Sequence, residues 1–541
     1  MVRSRFYHDT FFIFALTTCL TLFFPGGASG EQRFENPIST TRHDKLPILE
    51  GPFASGREVT RACLTCHTEA SAMVRRNIHW TWEFSDPPTG KIYGKKHVIN
   101  TFCGSTKSNM RECTSCHIGF GWQDPEVSRV EDDMVDCLVC HEQTGNYKKY
   151  NYGWSELKFR EKVIKRPNYV ALAKSVARPS RANCGSCHFH GGSGDGAKHG
   201  DLDSSLINPN GTLDVHMNAS GLDFGCITCH NADGHRITGS RYVVKAQDSL
   251  GIDRPGKSDA THTSCASCHG NAPHPNAFKL DDHTDRVACQ TCHIPYVARG
   301  GIETMVHWDW RTAGNATGNS EVPEILRELG HVTEKMTFKH SATHGTSIWA
   351  GMITPRYDWF NGKVEYISLE DKFDNSSIAN INHIHGNARE PDARIWPFKR
   401  MFAVMPYDPI NKTMVVNHLI RSSPDDNEAF EASSDWRRSV AAGMKAAGMP
   451  FSGEVGFIRA SMSFPLTHMI APKEQALKCK DCHRNGGRMD GVEGIYMPGR
   501  KNNPLLHTIG SVLVILTLTG TLIHASMRIF MRSRNMKQGG G

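Results

Sequence analysis

The sequence has almost no cysteine left over for disulfide bonds. Sixteen of the 18 cysteines in its 541 residues belong to one repeated pattern, and only Cys19 and Cys103 lie outside it. Cys19 falls in the N-terminal leader, so a mature chain keeps a single unassigned thiol. One thiol cannot form an intramolecular bridge, and the chain is therefore not a disulfide scaffold.

The sequence also lacks the features of a nucleic-acid-binding protein. Its formal net charge is +7, and a cluster near the C-terminus carries four basic residues, namely Arg528, Arg532, Arg534 and Lys537. No basic patch is interleaved with aromatic residues, and no low-complexity linker is present. We therefore predict no nucleic acid partner.

What the sequence does contain is eight copies of Cys-x-x-Cys-His, numbered here motif 1 to motif 8. In chain order they are Cys63/Cys66/His67, Cys113/Cys116/His117, Cys137/Cys140/His141, Cys184/Cys187/His188, Cys226/Cys229/His230, Cys265/Cys268/His269, Cys289/Cys292/His293 and Cys479/Cys482/His483. This pattern attaches haem c: the two thiols form thioether bonds to the porphyrin, and the histidine becomes an axial iron ligand. Zinc is the alternative for paired thiols, but every copy carries a histidine directly after its second cysteine. We predict eight covalently bound haem c groups.

The N-terminal residues 1–30 have the pattern of a secretory signal peptide. Arg3 and Arg5 precede an apolar run from Phe11 to Phe24, and small residues follow it. A lipoprotein signal ending at Cys19 is the alternative, although the two threonines before it fit that pattern poorly. Export agrees with haem c chemistry, because bacteria attach this cofactor outside the cytoplasmic membrane.

The C-terminal residues 504–541 predict a membrane helix with a basic tail. Leu505 to Met527 is a run of 23 residues without formal charge, long enough to cross a hydrocarbon core of ~30 Å. The basic cluster that follows predicts a cytoplasmic tail, which places the haem-bearing body in the periplasm. His507 and His524 flank the helix. They either ligate haem b with a partner subunit or are interfacial histidines on a plain anchor.

The spacing of the motifs predicts two further regions. Residues 31–293 hold seven motifs, and residues 294–503 are poor in haem and hold the eighth site at 479–483. Dense motifs leave little peptide for each haem, and 49 glycines and 26 prolines interrupt long elements. The predicted fold is therefore mainly α with extensive irregular coil, wrapped around eight haems, plus one C-terminal transmembrane helix.

The haem-poor stretch gives four local predictions. Val322 to Leu329 and Ser439 to Met449 are predicted helices, and the segment from Ala476 into motif 8 is predicted to be helical. Asn361-Gly362 lies between Tyr357, Trp359, Val364 and Tyr366, and this pattern predicts a two-residue hairpin turn.

Histidines outside the motifs supply the second ligands of bis-histidine iron, a coordination that suits electron transfer. The best candidates are His79, His216, His274, His283 and His468. His79 lies among aromatic residues, and the other four lie close in sequence to a motif.

A glycine-rich segment from His188 to Asp201 contains Lys198. Glycines allow the backbone to approach a flat cofactor. Lys198 could bind iron only as the free amine, with a depressed pKa. A solvated lysine is the simpler interpretation of the segment alone.

Several segments resemble the octahaem tetrathionate reductase family, over about residues 60 to 485. They are Cys184–Ser205, His79–Trp82, Asn100–Cys103 and Leu466–Lys473. The number of motifs also matches that family.

The resemblance implies a catalytic haem at motif 2, with Lys198 as its distal ligand. It also implies that Asn100 and Cys103 lie beside that haem, and a weaker alignment implies an active-site aspartate at Asp309. Cys103 has an alternative role as a small buried hydrophobic residue. As a thiol beside iron, it would be able to contact a sulfur substrate.

The expected function is a periplasm-facing oxidoreductase that passes electrons along its haems to a lysine-ligated iron. There it would reduce a small sulfur or nitrogen compound of the tetrathionate, nitrite or hydroxylamine type. The membrane helix departs from soluble members of the family, and it suggests a quinol-oxidising or cytochrome b-type electron partner in the cytoplasmic membrane.

Two alternatives remain open from the sequence. The chain could be a non-catalytic electron conduit docked to a membrane dehydrogenase, with all eight irons six-coordinate. It could also oxidise hydroxylamine or hydrazine, although no tyrosine can be assigned to the cross-link of such enzymes. Octahaem nitrite reductases use Cys-x-x-Cys-Lys, which this chain lacks.

Overall fold

The structure is a computed structural model. It describes residues 41–100, 102–121, 131–148, 158–159, 162–163, 167–191, 193–244, 264–270, 272–318, 321, 323–324, 326, 336–374, 376–495, 497 and 504–538. The predicted signal peptide lies outside these residues, as does most of the predicted helix Val322–Leu329.

Most helices are one or two turns long. The α-helices are Gly56–Leu64, Ala70–Arg75, Ile78–Thr81, Met110–Cys113, Leu138–His141, Tyr169–Lys174, Arg181–His188, Cys226–Cys229, Ala266–His269, Phe278–Asp281, Cys289–His293, Phe430–Ser433, Trp436–Ala447, Cys479–Cys482 and Pro504–Gln538. The 3-10 helices are His43–Lys45, Pro47–Leu49, Thr106–Ser108, Thr114–Cys116, Asp132–Met134, Ser204–Ile207, Asp282–Asp285 and Trp310–Thr312. Each motif overlaps one of these short helices, and in motif 1 the helix Gly56–Leu64 reaches only the first cysteine.

The helix predicted at Ser439–Met449 is present as Trp436–Ala447. The Asp435 side chain caps its first turn by accepting a hydrogen bond from Arg438 N, and Gly448 ends it with a φ of 67°. The segment from Ala476 is helical only over Cys479–Cys482. That prediction therefore overestimated the length of the helix.

Sixteen strands are present among the described residues. In chain order, β1 to β16 are Phe84–Ser85, Ile92–Tyr93, Lys158–Phe159, Lys162–Val163, Ala232–Asp233, Arg236–Ile237, Thr304–Asp309, Met336–Ser341, Gly345–Ala350, Arg356–Phe360, Val364–Tyr366, Ala379–Asn380, Asn382–Ile384, Arg394–Asp408, Thr413–Met414 and Gly456–Pro465. Eight of them form one sheet, in the order β12-β16-β14-β7-β9-β8, with β10 and β15 also paired to β14.

The central strand β14 explains why the sheet forms. It is a nearly continuous apolar run that is buried on both faces, and this pattern is typical of a strand inside a sheet. β16 pairs with it antiparallel over Phe398–Tyr407, and β7 pairs with it in parallel. The prediction of a mainly α fold is therefore not confirmed. The long stretch between motifs 7 and 8 builds a sheet rather than more coil.

The predicted hairpin at Asn361-Gly362 is wrong, although both flanking strands exist. β10 pairs with β14, whereas β11 pairs with β13. On its other side, β11 is hydrogen-bonded to the segment that contains Tyr242 and Val244. Val364 N donates to Tyr242 O at 2.9 Å, and Val244 N donates to Gly362 O at 2.8 Å. The turn thus sends the chain from one sheet to another.

The main core lies around β7 and β14, and it extends to the loop that precedes motif 2. Phe102 is fully buried in this core, and its carbonyl accepts a hydrogen bond from Trp310 Nε1 at 2.8 Å. The large sheet thereby fixes the loop that carries Asn100 and Cys103.

The C-terminal helix Pro504–Gln538 has 35 residues, which corresponds to a length of about 52 Å. Thr508–Arg534 is long and apolar enough to cross a membrane. Two hydroxyls inside it are satisfied by the helix backbone: Thr517 Oγ1 donates to Leu513 O, and Thr521 Oγ1 donates to Thr517 O. By length and composition, the helix can span a membrane.

Candidate functional site

One cavity of about 3580 Å³ is lined by cysteines or histidines of motifs 2 to 8, but not by those of motif 1. A single small-molecule site usually measures about 300–1,000 Å³. The cavity is therefore large enough for several flat cofactors side by side. Some cysteines that line the cavity are also exposed to solvent, namely Cys229, Cys268 and Cys479.

Cys66 of motif 1 lies at the surface, outside this cavity. Cys66 is a predicted haem-binding residue of a body wrapped around its haems, but it is exposed and does not line the cavity. The physical reason is that helix Gly56–Leu64 ends two residues earlier. Cys66 therefore lies in a surface turn, where Thr65 Oγ1 donates to its Sγ at 3.8 Å. A thioether bond does not require a buried sulfur, so haem attachment at Cys66 stays a prediction, now for a site at the surface.

Six of the motif histidines each face another histidine ring at nearly the same separation. The pairs, from motif 1 onward, are His67–His43, His141–His235, His188–His79, His230–His468, His269–His216 and His483–His283. Their ring centres lie 5.9 to 6.3 Å apart. Metal–imidazole bonds of about 2 Å on opposite sides of one ion place two ring centres roughly 6 Å apart. Each pair therefore fits one metal ion.

Hydrogen bonds at Nδ1 orient these rings. His79 Nδ1 lies 2.8 Å from Asn77 Oδ1, and His230 Nδ1 lies 3.0 Å from Thr238 O. The same contact, at 2.6 to 3.1 Å, occurs in the paired residues His43, His141 and His283, and also in His274. A partner at Nδ1 leaves Nε2 available for a metal, as in most metal-binding histidines.

Burial favours the neutral imidazole that metal binding requires. It lowers the pKa of His188 to about 3, and it also lowers the pKa of His79 and of His230. His468 differs. Burial alone would lower its pKa, but the adjacent Asp201 carboxylate raises it. A carboxylate behind a ligating histidine increases its basicity.

Four of the five predicted distal histidines belong to these pairs. The fifth, His274, lines the cavity together with His293 of motif 7, and its charge contributes to lowering the pKa of His293. Sequence reasoning missed His43 and His235. His235 lies five residues after His230 and is therefore also close in sequence to a motif, whereas His43 lies far from motif 1 and carried no local signal.

His117 of motif 2 is oriented the other way. Its Nε2 lies 2.7 Å from Trp80 O, and its Nδ1 accepts a hydrogen bond from Gly119 N at 3.0 Å. The ring is fully buried, with Trp80 and Trp82 ring centres 5.3 and 4.9 Å away, and it does not line the cavity. The backbone thus engages Nε2, the nitrogen that binds iron in a Cys-x-x-Cys-His motif, and the ligand role of His117 stays a prediction.

Lys198 lies beside motif 2 and lines the cavity together with Cys113 and Cys116. Burial, and then repulsion from Arg241 and Lys95, lowers the pKa of Lys198 well below its ordinary value. The free amine is the form of lysine that can bind a metal.

Two neighbours define the path of the Lys198 side chain. Gly191 has a φ of 51°, and a Cβ at this position would lie 2.7 Å from Lys198 Cβ. On the other side, Lys399 Nζ donates to Lys198 O and to Ala197 O, both at 2.8 Å. The glycine-rich segment thus gives the lysine room, and the large sheet holds its backbone.

Asn100 and Cys103 both line the cavity and lie in one tight turn, in which Cys103 N donates to Asn100 O at 2.9 Å. Asn100 Nδ2 lies 3.2 Å from Lys95 O and 3.3 Å from Val98 O. These contacts orient the amide. Asn100 Oδ1 is buried and has no hydrogen-bond partner among the described residues.

Asp309 does not line the cavity. Its carboxylate binds Arg311 through Nε at 3.0 Å and Nη2 at 2.7 Å, and it also accepts a hydrogen bond from Arg311 N. The structure thus gives Asp309 a capping role and does not bring it to Lys198.

Cysteines of different motifs approach one another. The side chains of Cys63 and Cys137, of Cys116 and Cys187, of Cys184 and Cys226, and of Cys265 and Cys289 lie next to one another. Cys140 also lies near Cys184, Cys229 near Cys268, and Cys292 near Cys482. In these contacts, motifs 1, 3, 4, 5, 6, 7 and 8 follow one another as a series, and motif 2 adjoins motif 4.

Paired histidines, adjacent cysteine pairs and a shared cavity define a multihaem c-type cytochrome. Residues 305–486 match the family described as bacterial cytochrome c. None of the curated proteins matches the chain. A solved structure, the octaheme cytochrome c from Shewanella oneidensis, is similar over 85% of this chain and 100% of that chain, with 34% identity and a TM-score of 0.70.

The chain belongs to the family of octahaem c-type cytochromes. This relationship and the fit of the paired histidines establish that it binds haem c covalently.

Proposed function

We propose that all eight motifs carry haem c, and that the motif 2 site reduces a small sulfur or nitrogen compound of the tetrathionate, nitrite or hydroxylamine type. The contrast between His117 and the six paired motif histidines carries this proposal. Two histidines fill both faces of an iron and suit electron transfer. Among the described residues, motif 2 presents Lys198 and no facing histidine, so an amine would be the ligand that a substrate displaces.

The chain's own residues have separate roles at this site. Lys198 would hold the metal through its amine, as the resemblance implies, together with His117, the ligand that the motif itself supplies. Asn100 offers a fixed, unpaired acceptor to a protonated group of the substrate or product. Cys103 places a thiol in the same turn. Bound haem supplies electrons one at a time, while the protein supplies position and field.

Each of these reactions needs two or more electrons, which the haems of the other motifs would supply. Tetrathionate takes two electrons to give two thiosulfates. Hydroxylamine takes two electrons and three protons to give ammonium and water. Nitrite takes six electrons and eight protons to give ammonium and two waters. The contact between Cys116 and Cys187 supports delivery to motif 2 from motif 4.

We further propose that the haem-bearing body lies in the periplasm, tethered to the cytoplasmic membrane by Pro504–Gln538. The apolar segment of this helix and the basic cluster at its end support that orientation. A quinol-oxidising or cytochrome b-type protein is the electron partner that fits such a tether. Protease added to intact spheroplasts would digest the haem-bearing body if this orientation is correct, and would spare it if the orientation is reversed.

A membrane-tethered conduit is the second candidate. The unbroken series of cysteine contacts through motifs 1, 3, 4, 5, 6, 7 and 8 favours it, since electron transfer along that series does not require motif 2.

The decisive experiment compares near-infrared magnetic circular dichroism and electron paramagnetic resonance of the oxidised wild-type protein, Lys198→Met and His117→Gln. Lys198→Met should lose one amine-ligated component and at least tenfold of the reductase activity driven by a viologen dye. His117→Gln should alter the same component, because His117 and Lys198 would hold the same iron.

The matched control is His188→Met, which should alter a bis-histidine component instead. Eight bis-histidine signals that Lys198→Met leaves unchanged would favour the conduit. An unchanged spectrum in His117→Gln would show that His117 does not bind iron.

A further inference from the structure

Arg241 places a guanidinium group in the cavity near Lys198. It lines the cavity, and its Nη2 is buried without a hydrogen-bond partner among the described residues. A buried guanidinium nitrogen that lacks an acceptor is costly, so it points to an acceptor that is not part of the chain.

Neighbouring residues fix the Arg241 side chain. The guanidinium carbon lies 4.5 Å from the centre of the Tyr366 ring, and Nε donates to Tyr366 Oη at 3.2 Å. Tyr366 belongs to β11, which is bonded through Val364 to the backbone of Tyr242. The Nε hydrogen bond and the stacking hold the group in place, and Nη2 is left as a buried donor without an acceptor among the described residues.

The charge around Lys198 is positive and uncompensated. Arg241 and Lys95 both repel its ammonium form, and no carboxylate pairs with any of these three residues in the part of the chain that the structure describes. A low-dielectric cavity with such walls concentrates small anions.

We propose that Arg241, held by Tyr366, binds the anionic oxygens of the substrate at the Lys198 site, with Lys95 adding to the positive field. This inference rests on the proposed function, and it narrows the preferred substrate class to small oxyanions. Hydroxylamine is neutral at pH 7 and would bind without this contact.

The test measures nitrite and hydroxylamine reduction by the full-length holoprotein and by Arg241→Gln, with Arg241→Lys to restore the charge. The KM for nitrite should rise about tenfold to a hundredfold in Arg241→Gln, with kcat much less affected. The KM for hydroxylamine should change by less than about twofold, and Arg241→Lys should recover part of the nitrite affinity. Arg437→Gln, which removes an exposed arginine paired with Glu454 outside the cavity, is the matched control.

Equal changes in KM for both substrates, together with a shifted reduction potential, would overturn the inference and assign Arg241 to a haem propionate. Nitrite binding to the oxidised protein, followed by visible absorption, provides a readout independent of turnover. Weaker binding in Arg241→Gln supports the inference even if the wild type reduces neither substrate, in which case only the proposed reductase function fails. Unchanged binding rejects it.

Discussion

Lys399, a lysine with only 1% of its surface exposed, donates a hydrogen bond to the backbone carbonyl of Lys198 at 2.8 Å. Its Nζ also reaches Ala197 O and the hydroxyl of Thr304. One lysine of the central strand therefore holds the backbone of another lysine that faces the cavity.

Replacing Lys399 by methionine should destabilise the protein and disturb Lys198. The substitution keeps a similar volume but leaves buried carbonyls without their donor, which costs about 1–3 kcal/mol. We expect a lower melting temperature and a broadened amine-ligated signal in magnetic circular dichroism. Lys445→Met, at an exposed lysine of helix Trp436–Ala447, should leave both properties unchanged. A normal spectrum in Lys399→Met would show that Lys198 does not need this support.

Gly191→Ala should displace Lys198. The new Cβ would lie 2.7 Å from Lys198 Cβ, closer than carbon atoms approach without a shift, and the backbone φ is 51°. We expect at least a tenfold loss of reductase activity, with the bis-histidine signals intact. Gly90→Ala is the control, since Gly90 has a φ of 69° but open space around its Cβ position. It should cost about 1 kcal/mol of backbone strain and no activity.

His235→Met should change one haem and no other. His235 faces His141 with ring centres 6.2 Å apart, so the variant replaces one imidazole of that pair by a thioether. One bis-histidine component should disappear, and the potential of that haem should rise, because methionine ligation raises haem potentials. Potentiometric titration with electron paramagnetic resonance would measure both effects. His340→Met, outside the cavity, should leave the titration as it is in the wild type.

Asp426 should make stability depend on pH in the acid range. Burial alone would raise its pKa, but hydrogen bonds from Ser422 and His418 hold the pKa of this carboxyl well below its ordinary value of 3.8. The unfolded chain therefore takes up the proton first as the pH falls. The stabilisation is present above pH 3.8 and is lost as the pH drops through the lower folded value.

Asp426→Asn should accordingly lower the unfolding free energy by about 2 kcal/mol at pH 7, and by progressively less below about pH 4. Thermal melts at several pH values, followed by circular dichroism, would measure this. Asp374→Asn, at an exposed carboxyl bonded to Ser376, should have little effect at any pH. A difference between wild type and Asp426→Asn that stays constant down to about pH 2 would contradict the assignment.

The haem sites were the most predictable part of the molecule, because attachment is encoded within five consecutive residues. The large sheet was not predicted, since β14 pairs with β7 from nearly a hundred residues earlier in the chain. Asn361-Gly362 has the residues of a hairpin turn, yet the strands on either side find other partners. Local turn chemistry therefore fixed the turn position but not the pairing.

At the candidate site, the sequence predicted which residues lie in the cavity better than it predicted how their side chains are oriented. Lys198, Asn100 and Cys103 were placed by resemblance, and the structure brings all three to one cavity. The orientation of His117 depends on the carbonyl of Trp80, 37 residues away, and no motif encodes that contact. Five consecutive residues likewise do not encode burial, and Cys66 is exposed outside the cavity that the other motifs line.

Arg241 had no sequence signal at all. Its importance lies in an unpaired nitrogen that only the packed structure reveals.

The position of motif 2 at the side of the series has a consequence for multi-electron chemistry. If all eight motifs are loaded, the seven others can store more reducing equivalents than the six that a nitrite ion consumes. A substrate bound beside Lys198 would then be reduced to completion from charge already held in the same molecule. Partly reduced nitrogen compounds would have little time to escape. The rate at which the membrane partner returns electrons to the haems would set the interval between turnovers, but it would not decide how far each substrate is reduced.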